Sequence, residues 1–401
     1  MKIALIKETR TREDNRVALS PRQVADLNNR FPRHEIVVQS SDIRAYSDEE
    51  YINEGVRIVD NVDDCDYLVG VKEVDIDCLI PGKNYFMFAH VAKMPGHNRP
   101  LLLAMMDKRI TLFDYEYLVD GNLRAAAPFS WWAGVAGVYY TLMGYGLKYH
   151  LYDLPKPGRD FTMDQMLGNL RGIDLPKVKL FITGGGSVSK GACFVLDKIG
   201  AVQMSEQEYL NTQGVNHLSY AFGHTNQLVK RCDGKPFSYE DFNANKEEYE
   251  SDFMKWANTT DILICAHYWS PGYPVFLNED ELKSKSLRIK MIGDVACDVG
   301  GSIKSTLRDT THDDPFYDYN PNAGFEEPAF SSDKNITVMA VDALPNALAR
   351  DSSEDFGKML TPFVFEPLFT GGDLSALTRA KILDHGYLTE PYGYLKTYEG
   401  K

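Results

Sequence analysis

Three consecutive glycines, Gly184 to Gly186, lie between an apolar segment at 179–183 and a helical pattern that continues to Gly200. A glycine turn lets the backbone approach a diphosphate closely, and the free N–H groups and positive dipole at a helix start attract its charge. The order of strand, turn and helix therefore predicts a binding site for the diphosphate of a nucleotide. The candidate residues are Gly184, Gly185, Gly186, Ser187, Val188 and Ser189.

Two details of this segment leave the identity of the nucleotide open. Ser189 stands where the dinucleotide fingerprint prefers a third glycine. The acidic residue that binds a ribose 2′-hydroxyl is expected about 20 residues further on, where Glu206 follows a short strand pattern at 201–204. No arginine stands beside Glu206 to bind a 2′-phosphate, so the sequence does not choose between NAD and NADP. A glycine-rich turn that binds no ligand is the alternative interpretation.

A second group of ionisable residues follows predicted strands near the start of the chain. Arg16 follows the first strand pattern, Lys72 follows the pattern at 67–71, and His90 follows the pattern at 85–89. Ligands of an open parallel sheet bind beyond the carboxyl ends of its strands, so Lys72 and His90 are expected at the mouth of one crevice. Each residue alone is more often structural than functional.

The elements that must position these residues are typical of parallel sheets. Short apolar strands alternate with helical stretches through the first 120 residues. Small residues at helical spacing from 133 to 147 predict a closely packed helix that links two domains. The polar segment at about 206–257 is expected to elaborate the second domain, and helices are expected from about 352 onward. Further central strands are predicted at 261–266, 289–294 and 337–341.

Length and composition limit the function classes. A chain of 401 residues has room for two domains, because single cores stop growing at about 250–300 residues. Its net charge of −14, from 43 basic and 57 acidic residues, argues against nucleic-acid and acidic-membrane partners. The chain has no basic apolar leader and no apolar run of membrane-spanning length, which predicts a cytoplasmic protein. Its six cysteines and the histidines other than His90 show no paired spacing, so neither disulfides nor a metal are expected.

Collinear motifs along nearly the whole chain resemble the alanine dehydrogenase and saccharopine dehydrogenase superfamily. The most similar branch is the lysine-ketoglutarate reductase half of aminoadipic semialdehyde synthase. Besides the glycine turn, the motifs that carry the resemblance are 111–116, 124–127, 132–137, 268–269, 293–303 and 342–348.

This resemblance implies a fold and a division of the chain. The expected fold is α/β, with two Rossmann-like doubly wound parallel-sheet domains and a cleft between them. Residues 1–132 with about 346–401 are expected to form the substrate-binding and catalytic domain, and residues 133–345 the dinucleotide-binding domain. On fold analogy, the two domains are expected to close over the cleft and to shield the chemistry from water.

The resemblance also implies an activity, which is saccharopine dehydrogenase (L-lysine-forming). The partners would be L-lysine, 2-oxoglutarate, saccharopine and a nicotinamide cofactor, NAD or NADP, while the oligomeric state stays open. By position, Lys72 and His90 match the family's acid–base pair. The substrate-binding candidates are Arg16, Glu73, Glu116 and Arg124, and the further cofactor-binding candidates are Glu206, Asp294, Asp342 and Leu344.

Departures from the family pattern and two alternatives accompany this hypothesis. Leu123 precedes Arg124 where related fungal enzymes carry a second arginine. The chain lacks the second dehydrogenase half of the bifunctional enzyme, so it is expected to release saccharopine without cleaving it to glutamate. One alternative is an alanine dehydrogenase or an opine-type dehydrogenase of the same superfamily, and the other is a non-catalytic nucleotide-binding protein.

Overall fold

A computed structural model of the chain describes residues 1–10, 14–92, 98–119 and 129–398. The chain divides into two compact units. Unit 1 comprises Met1–Phe129 and Leu348–Lys401, and unit 2 comprises Ser130–Ala347. In the part of the chain that is described, no helix is both long and apolar enough to cross a membrane.

Strands and helices are numbered separately along the chain. The strands of the described residues are β1 (Lys2–Leu5), β2 (Glu35–Gln39), β3 (Ile58–Val59), β4 (Tyr67–Val69), β5 (Asn84–Met87), β6 (Thr111–Asp114), β7 (Lys179–Thr183), β8 (Val202–Gln203), β9 (Ser219–Gly223), β10 (Val229–Arg231), β11 (Tyr249–Ser251), β12 (Ile262–Cys265), β13 (Met291–Asp294), β14 (Tyr317–Asn320), β15 (Phe325–Glu327), β16 (Ile336–Met339), β17 (Lys381–Asp384) and β18 (Tyr387–Leu388). The helices are α1 (Pro21–Arg30), α2 (Asp48–Asn53), α3 (Arg99–Asp107), α4 (Phe129–Lys148), α5 (Met163–Arg171), α6 (Ser187–Lys198), α7 (Glu206–Asn211), α8 (Thr225–Leu228), α9 (Tyr239–Ala244), α10 (Met254–Ala257), α11 (Glu279–Leu282), α12 (Ala349–Leu360), α13 (Glu366–Thr370) and α14 (Ser375–Ala380).

The sheet of unit 1 has eight strands in the order β18-β17-β6-β5-β4-β1-β2-β3. The six strands from β6 to β3 are parallel, whereas β17 and β18 pair antiparallel. On β1, Ile3 and Leu5 pack into one apolar cluster and Ala4 into another. Both faces of the sheet are therefore buried, which explains the continuous apolar runs of its strands. The sequence predicts only helices after about residue 352, so β17 and β18 correct that expectation.

The sheet of unit 2 also has eight strands, in the order β15-β14-β16-β13-β12-β7-β9-β8. Its six strands from β16 to β8 are parallel, and β14 and β15 are antiparallel. The segment at 206–257 supplies more than the expected elaboration, because β9 lies within it and pairs directly with β7. The strand β8, at the edge of the sheet, pairs with β9. The two mostly parallel sheets confirm the predicted α/β fold class.

Within unit 2, α4 and α6 touch backbone to backbone through two glycines. A Cβ atom at Gly134 would lie 1.9 Å from the carbonyl oxygen of Val188, and one at Gly191 would lie 2.0 Å from that of Trp131. Neither distance is compatible with a side chain, and a backbone carbonyl cannot rotate away as a side chain can. The small residues of the predicted helix at 133–147 therefore fix the spacing between α4 and α6.

We expect Gly134→Ala and Gly191→Ala each to lower the free energy of unfolding by about 1–3 kcal/mol or more, because the added methyl overpacks a backbone contact. The matched control is Gly168→Ala, since Gly168 lies within α5 and a Cβ there would meet nothing within 4 Å. This control is expected to gain about 0.5–1 kcal/mol from helix propensity. Urea denaturation of the three variants measures these changes. Equal changes in the free energy of unfolding at all three positions would contradict a close backbone contact between α4 and α6.

Candidate functional site

The three glycines of the turn between β7 and α6 have different surroundings. Gly184 has a φ of +87°, and a Cβ there would lie 3.0 Å from the carbonyl oxygen of Ala266. A Cβ at Gly185 would lie 2.2 Å from two atoms of the His224 ring. A Cβ at Gly186 would meet no protein atom within 4 Å. The turn thus packs against its neighbours at Gly184 and Gly185 and is open at Gly186, which is the N-cap of α6.

A cavity of about 600 Å³ lies at this turn, entirely within unit 2. Such a volume falls in the usual range of cofactor pockets, about 300–1,000 Å³. Its wall combines the turn with residues that follow β9, β12 and β13, among them Thr225, His267, Ala296 and Asp298, and with several aromatic side chains. Backbone N–H groups at the start of α6 and the glycine surface offer the donors and the close approach that a dinucleotide pyrophosphate needs. The residues present therefore fit a dinucleotide.

The predicted cofactor residues divide into two sets. Five of them line the cavity, namely Gly184, Gly185, Gly186, Ser187 and Val188. The other five are not among the residues of its wall, and they are Ser189, Glu206, Asp294, Asp342 and Leu344. Ser189 is buried, and its hydroxyl donates a hydrogen bond to the carbonyl oxygen of Thr183 at a distance of 3.2 Å. It therefore ties α6 to β7 where the fingerprint has its third glycine.

The remaining four residues of that second set have other partners or positions. Asp294 is buried at the end of β13 and accepts from the Thr306 hydroxyl at 2.6 Å, and burial raises its pKa to about 6. Glu206 begins α7 after β8 and accepts from the Gln227 side chain at 2.7 Å. Asp342 is exposed beyond β16, whereas Leu344 is buried.

His267 lines the cavity and is buried, and the sequence predicts a packed or solvent-facing role for it, with an approach to the cofactor as the alternative. Its Nδ1 lies 2.6 Å from the Thr183 hydroxyl and its Nε2 lies 2.6 Å from the Ser302 hydroxyl. Burial lowers the pKa of His267 to about 4, so the ring is neutral at physiological pH. His267 is the second residue after β12, where the strand-end rule places ligand contacts.

In unit 1, the ionisable candidates follow strands that are parallel neighbours. Lys72 and Glu73 follow β4, His90 follows β5 and Glu116 follows β6. The Nδ1 atom of His90 lies 3.2 Å from the Oε1 atom of Glu116. His90 has a φ of +52°, a left-handed conformation that is uncommon for a residue with a side chain.

Glu8 and Asp14 also lie at this sheet edge, and the sequence prediction missed both. The two carboxyl oxygens of Glu8 accept the backbone N–H groups of Val71 and Lys72, at 2.8 and 2.9 Å. Burial and the negative charge of Asp14 raise the pKa of Glu8 to about 8. Glu8 thereby fixes the backbone that carries Lys72. Its signal in the sequence was a carboxylate shortly after the first strand.

Asp14 lies against Arg16 as a buried ion pair. The Arg16 guanidinium contacts both Asp14 oxygens, at 2.5 and 2.9 Å, and lies 4.4 Å from the Phe129 ring centroid. Burial alone would raise the pKa of Asp14, but the positive charges of Arg16 and Lys72 outweigh it and hold the pKa below its ordinary value. At the sheet edge, Arg16 is therefore paired with the carboxylate of Asp14.

The other ionisable residues near this sheet edge differ in their surroundings. Glu73 is buried, accepts from Asn98 at 3.3 Å and lies 3.7 Å from the Arg10 guanidinium. Burial, and to a lesser extent Glu116, raises the pKa of Asp114 at the end of β6 to about 7. Arg124 lies outside the described residues. Among the residues that are described, no cluster of three His, Cys, Asp or Glu side chains is arranged to hold a metal ion.

A glycine-turn cavity at one parallel sheet and ionisable side chains at the edge of another are typical of two-domain dehydrogenases that use a nicotinamide dinucleotide. Residues 4–136 match the family model for the N-terminal domain of alanine dehydrogenase/PNT, and residues 158–393 match the model for its C-terminal domain. The chain belongs to the alanine dehydrogenase/PNT family. Relatives of this chain include dehydrogenases that use NAD(+).

Individual relatives cover nearly the whole chain. The alpha-aminoadipic semialdehyde synthase of Arabidopsis thaliana is 30% identical over 98% of this chain and 41% of that protein. The chain thus spans less than half the length of that relative. The saccharopine dehydrogenase [NAD(+), L-lysine-forming] of Yarrowia lipolytica is 24% identical over 96% of each chain. A solved structure of L-alanine dehydrogenase has the same fold, with a TM-score of 0.66 at 20% identity over 100% of this chain and 99% of that one.

We expect Gly186→Ala to fold normally, since a Cβ there meets no protein atom. We expect it to weaken dinucleotide binding by about tenfold or more, because the added methyl would enter the space that we assign to the pyrophosphate. Calorimetric titration with the reduced cofactor measures the affinity, and thermal unfolding checks the fold. The control is Gly214→Ala, an exposed loop position where a Cβ also meets nothing within 4 Å. Unchanged cofactor affinity in Gly186→Ala would contradict the assignment of the pyrophosphate to this turn.

The raised pKa of Glu8 makes the stability of the protein depend on pH. Between the ordinary value of 4.5 and about 8, folded Glu8 retains a proton that the unfolded chain has released. Glu8 therefore makes the free energy of unfolding fall as pH rises through this window, with no further fall above it. We expect Glu8→Gln to lose this contribution, and urea denaturation at about pH 5 and about pH 8 measures the slope. The exposed control Glu54→Gln should keep the wild-type slope, and an unchanged slope in Glu8→Gln would contradict the assignment.

Proposed function

We propose that the chain catalyses the reversible reductive condensation of L-lysine with 2-oxoglutarate to saccharopine, acting on a CH–NH bond. The observation that carries the proposal is the grouping of Lys72 and the His90–Glu116 pair after three neighbouring parallel strands, β4, β5 and β6. The likeness to the saccharopine dehydrogenase of Yarrowia lipolytica over 96% of each chain supports the choice of substrate.

The chemistry requires proton transfers that suit these side chains. The lysine ε-amine must lose a proton before it attacks the ketone, and the carbinolamine must then lose water with the help of an acid. We assign these transfers to Lys72 and His90, with Glu116 holding the His90 ring at 3.2 Å. A bound nicotinamide supplies the hydride that reduces the imine. Saccharopine oxidation uses the same groups in the opposite protonation states.

The surrounding charges are assigned to substrate binding and to orientation. Arg16 and Arg124 are proposed to bind substrate carboxylates, for which the guanidinium fork is suited. Because Arg16 is paired with Asp14, a bound carboxylate would face a neutralised pair, with Lys72 as the additional positive charge. Glu73 and Glu116 are proposed to bind the ammonium groups of the substrate. Unit 1 would then be the substrate-binding domain and unit 2 the dinucleotide-binding domain.

The test follows oxidation of NADH and of NADPH by absorbance with two substrate pairs. Turnover with L-lysine and 2-oxoglutarate is expected, and turnover with pyruvate and ammonia is not. A preference for pyruvate and ammonia would instead make the chain an alanine dehydrogenase, a function favoured by the 26% identity to the alanine dehydrogenase of Methanococcus maripaludis over 91% of this chain. The absence of turnover with both pairs would overturn the proposal and favour a non-catalytic nucleotide-binding role.

Lys72→Met and His90→Gln are each expected to lower kcat by about 10²–10⁴-fold, because each removes one proton-transfer group. Lys285→Met and His217→Gln are the matched controls, since both residues are exposed in unit 2. The controls should keep the wild-type kcat. Full turnover in either site variant would exclude the corresponding residue from the mechanism.

A further inference from the structure

The strand order of unit 2 points to a different ribose-binding residue from the one that the sequence interval predicts. In a dinucleotide fold, the residue that contacts the adenosine ribose follows the strand beside the glycine turn. The sequence interval points to Glu206 after β8, but β8 is the edge strand and β9 is the neighbour of β7. The residue directly after β9 is His224.

His224 also lies against the turn itself. The Cε1 and Nδ1 atoms of its ring are 2.2 Å from the position of a Cβ on Gly185, so the missing side chain of Gly185 leaves the space that the ring occupies. The Phe222 ring packs edge-on against His224 with the centroids 5.5 Å apart. The next residue, Thr225, lines the cavity. Neither His224 nor Thr225 carries a negative charge.

The side chain of Gln227 links Glu206 to the backbone of His224. The Gln227 side chain accepts the backbone N–H of His224 at 2.8 Å through its oxygen and donates to Glu206 at 2.7 Å through its nitrogen. A carboxylate discriminates against a 2′-phosphate only where it faces the ribose, because like charges at close range repel strongly. One oxygen of Glu206 accepts a hydrogen bond from Gln227, and neither Glu206 nor His224 is among the residues of the cavity wall, whereas Thr225 is.

We propose that His224, rather than Glu206, contacts the 2′ position of the adenosine ribose, and that the site accepts a 2′-phosphate as well as a 2′-hydroxyl. The residue that contacts the 2′ group then lies 40 positions after Gly184, twice the usual interval of about 20. The proposal depends on the assignment of the cofactor to this cavity and is independent of the amine substrate.

The test is calorimetric titration of the full chain with ADP-ribose and with 2′-phospho-ADP-ribose, neither of which carries a nicotinamide. The wild-type affinities for the two probes should agree within about tenfold. His224→Asp should weaken binding of the 2′-phosphorylated probe by about 100-fold, through charge repulsion, and change ADP-ribose binding by less than about threefold. Glu206→Gln should leave both affinities within about threefold of wild type, because Glu206 does not face the ribose.

His217→Asp is the matched control, because it makes the same charge change at an exposed position of unit 2 and should behave as wild type. Thermal unfolding confirms that each variant is folded. An unchanged ratio of the two affinities in His224→Asp would overturn the proposal, and so would a gain for the phosphorylated probe in Glu206→Gln or rejection of that probe by the wild type. Failure of lysine-dependent turnover would leave these titrations interpretable, since neither probe takes part in it.

Discussion

Parallel pairing of the strands is the constraint on which the rest of this structure depends. It brings the carboxyl ends of neighbouring strands to one edge of each sheet, so that residues far apart in sequence follow their strands side by side. In unit 1 the registers of β4, β5 and β6 bring Lys72, His90 and Glu116 to one edge. In unit 2 the same pairing aligns Thr183 of β7 with Cys265 of β12 and so sets His267 beside the glycine turn.

Burial of carboxylates at these edges determines their proton affinities. A carboxylate removed from water has a raised pKa unless a cation compensates for the lost hydration. Burial dominates at Glu8, Asp114 and Asp294, whose pKa values lie near 8, 7 and 6. At Asp14 the adjacent Arg16 reverses the balance. Unit 1 thus combines a cation-stabilised carboxylate with two carboxyl groups that titrate near neutral pH, a distribution typical of acid–base sites.

Much of the fold was predictable because most of its strands are continuous apolar runs. The glycine turn was predictable because it lies between such a run and a helical pattern. Each strand predicted from an apolar run is present within a few residues, and the predicted helix at 133–147 lies within α4. The main omission was β9, whose sequence Ser-Tyr-Ala-Phe-Gly is short and partly polar. The strand β9 is buried because β7 and β8 pair with it on either side, and a local sequence pattern contains no information about these neighbours.

The sequence by itself determined the α/β class, the glycine turn and the identities of the ionisable residues after the strands, because these depend on local composition and periodicity. Tertiary structure decided which of them meet. It paired Arg16 with Asp14, held the Lys72 backbone on Glu8, and set His224 rather than Glu206 after the strand beside the turn. The physical reason is that ion pairing, burial and strand order depend on contacts between residues distant in the chain, whereas a sequence interval measures only distance along it.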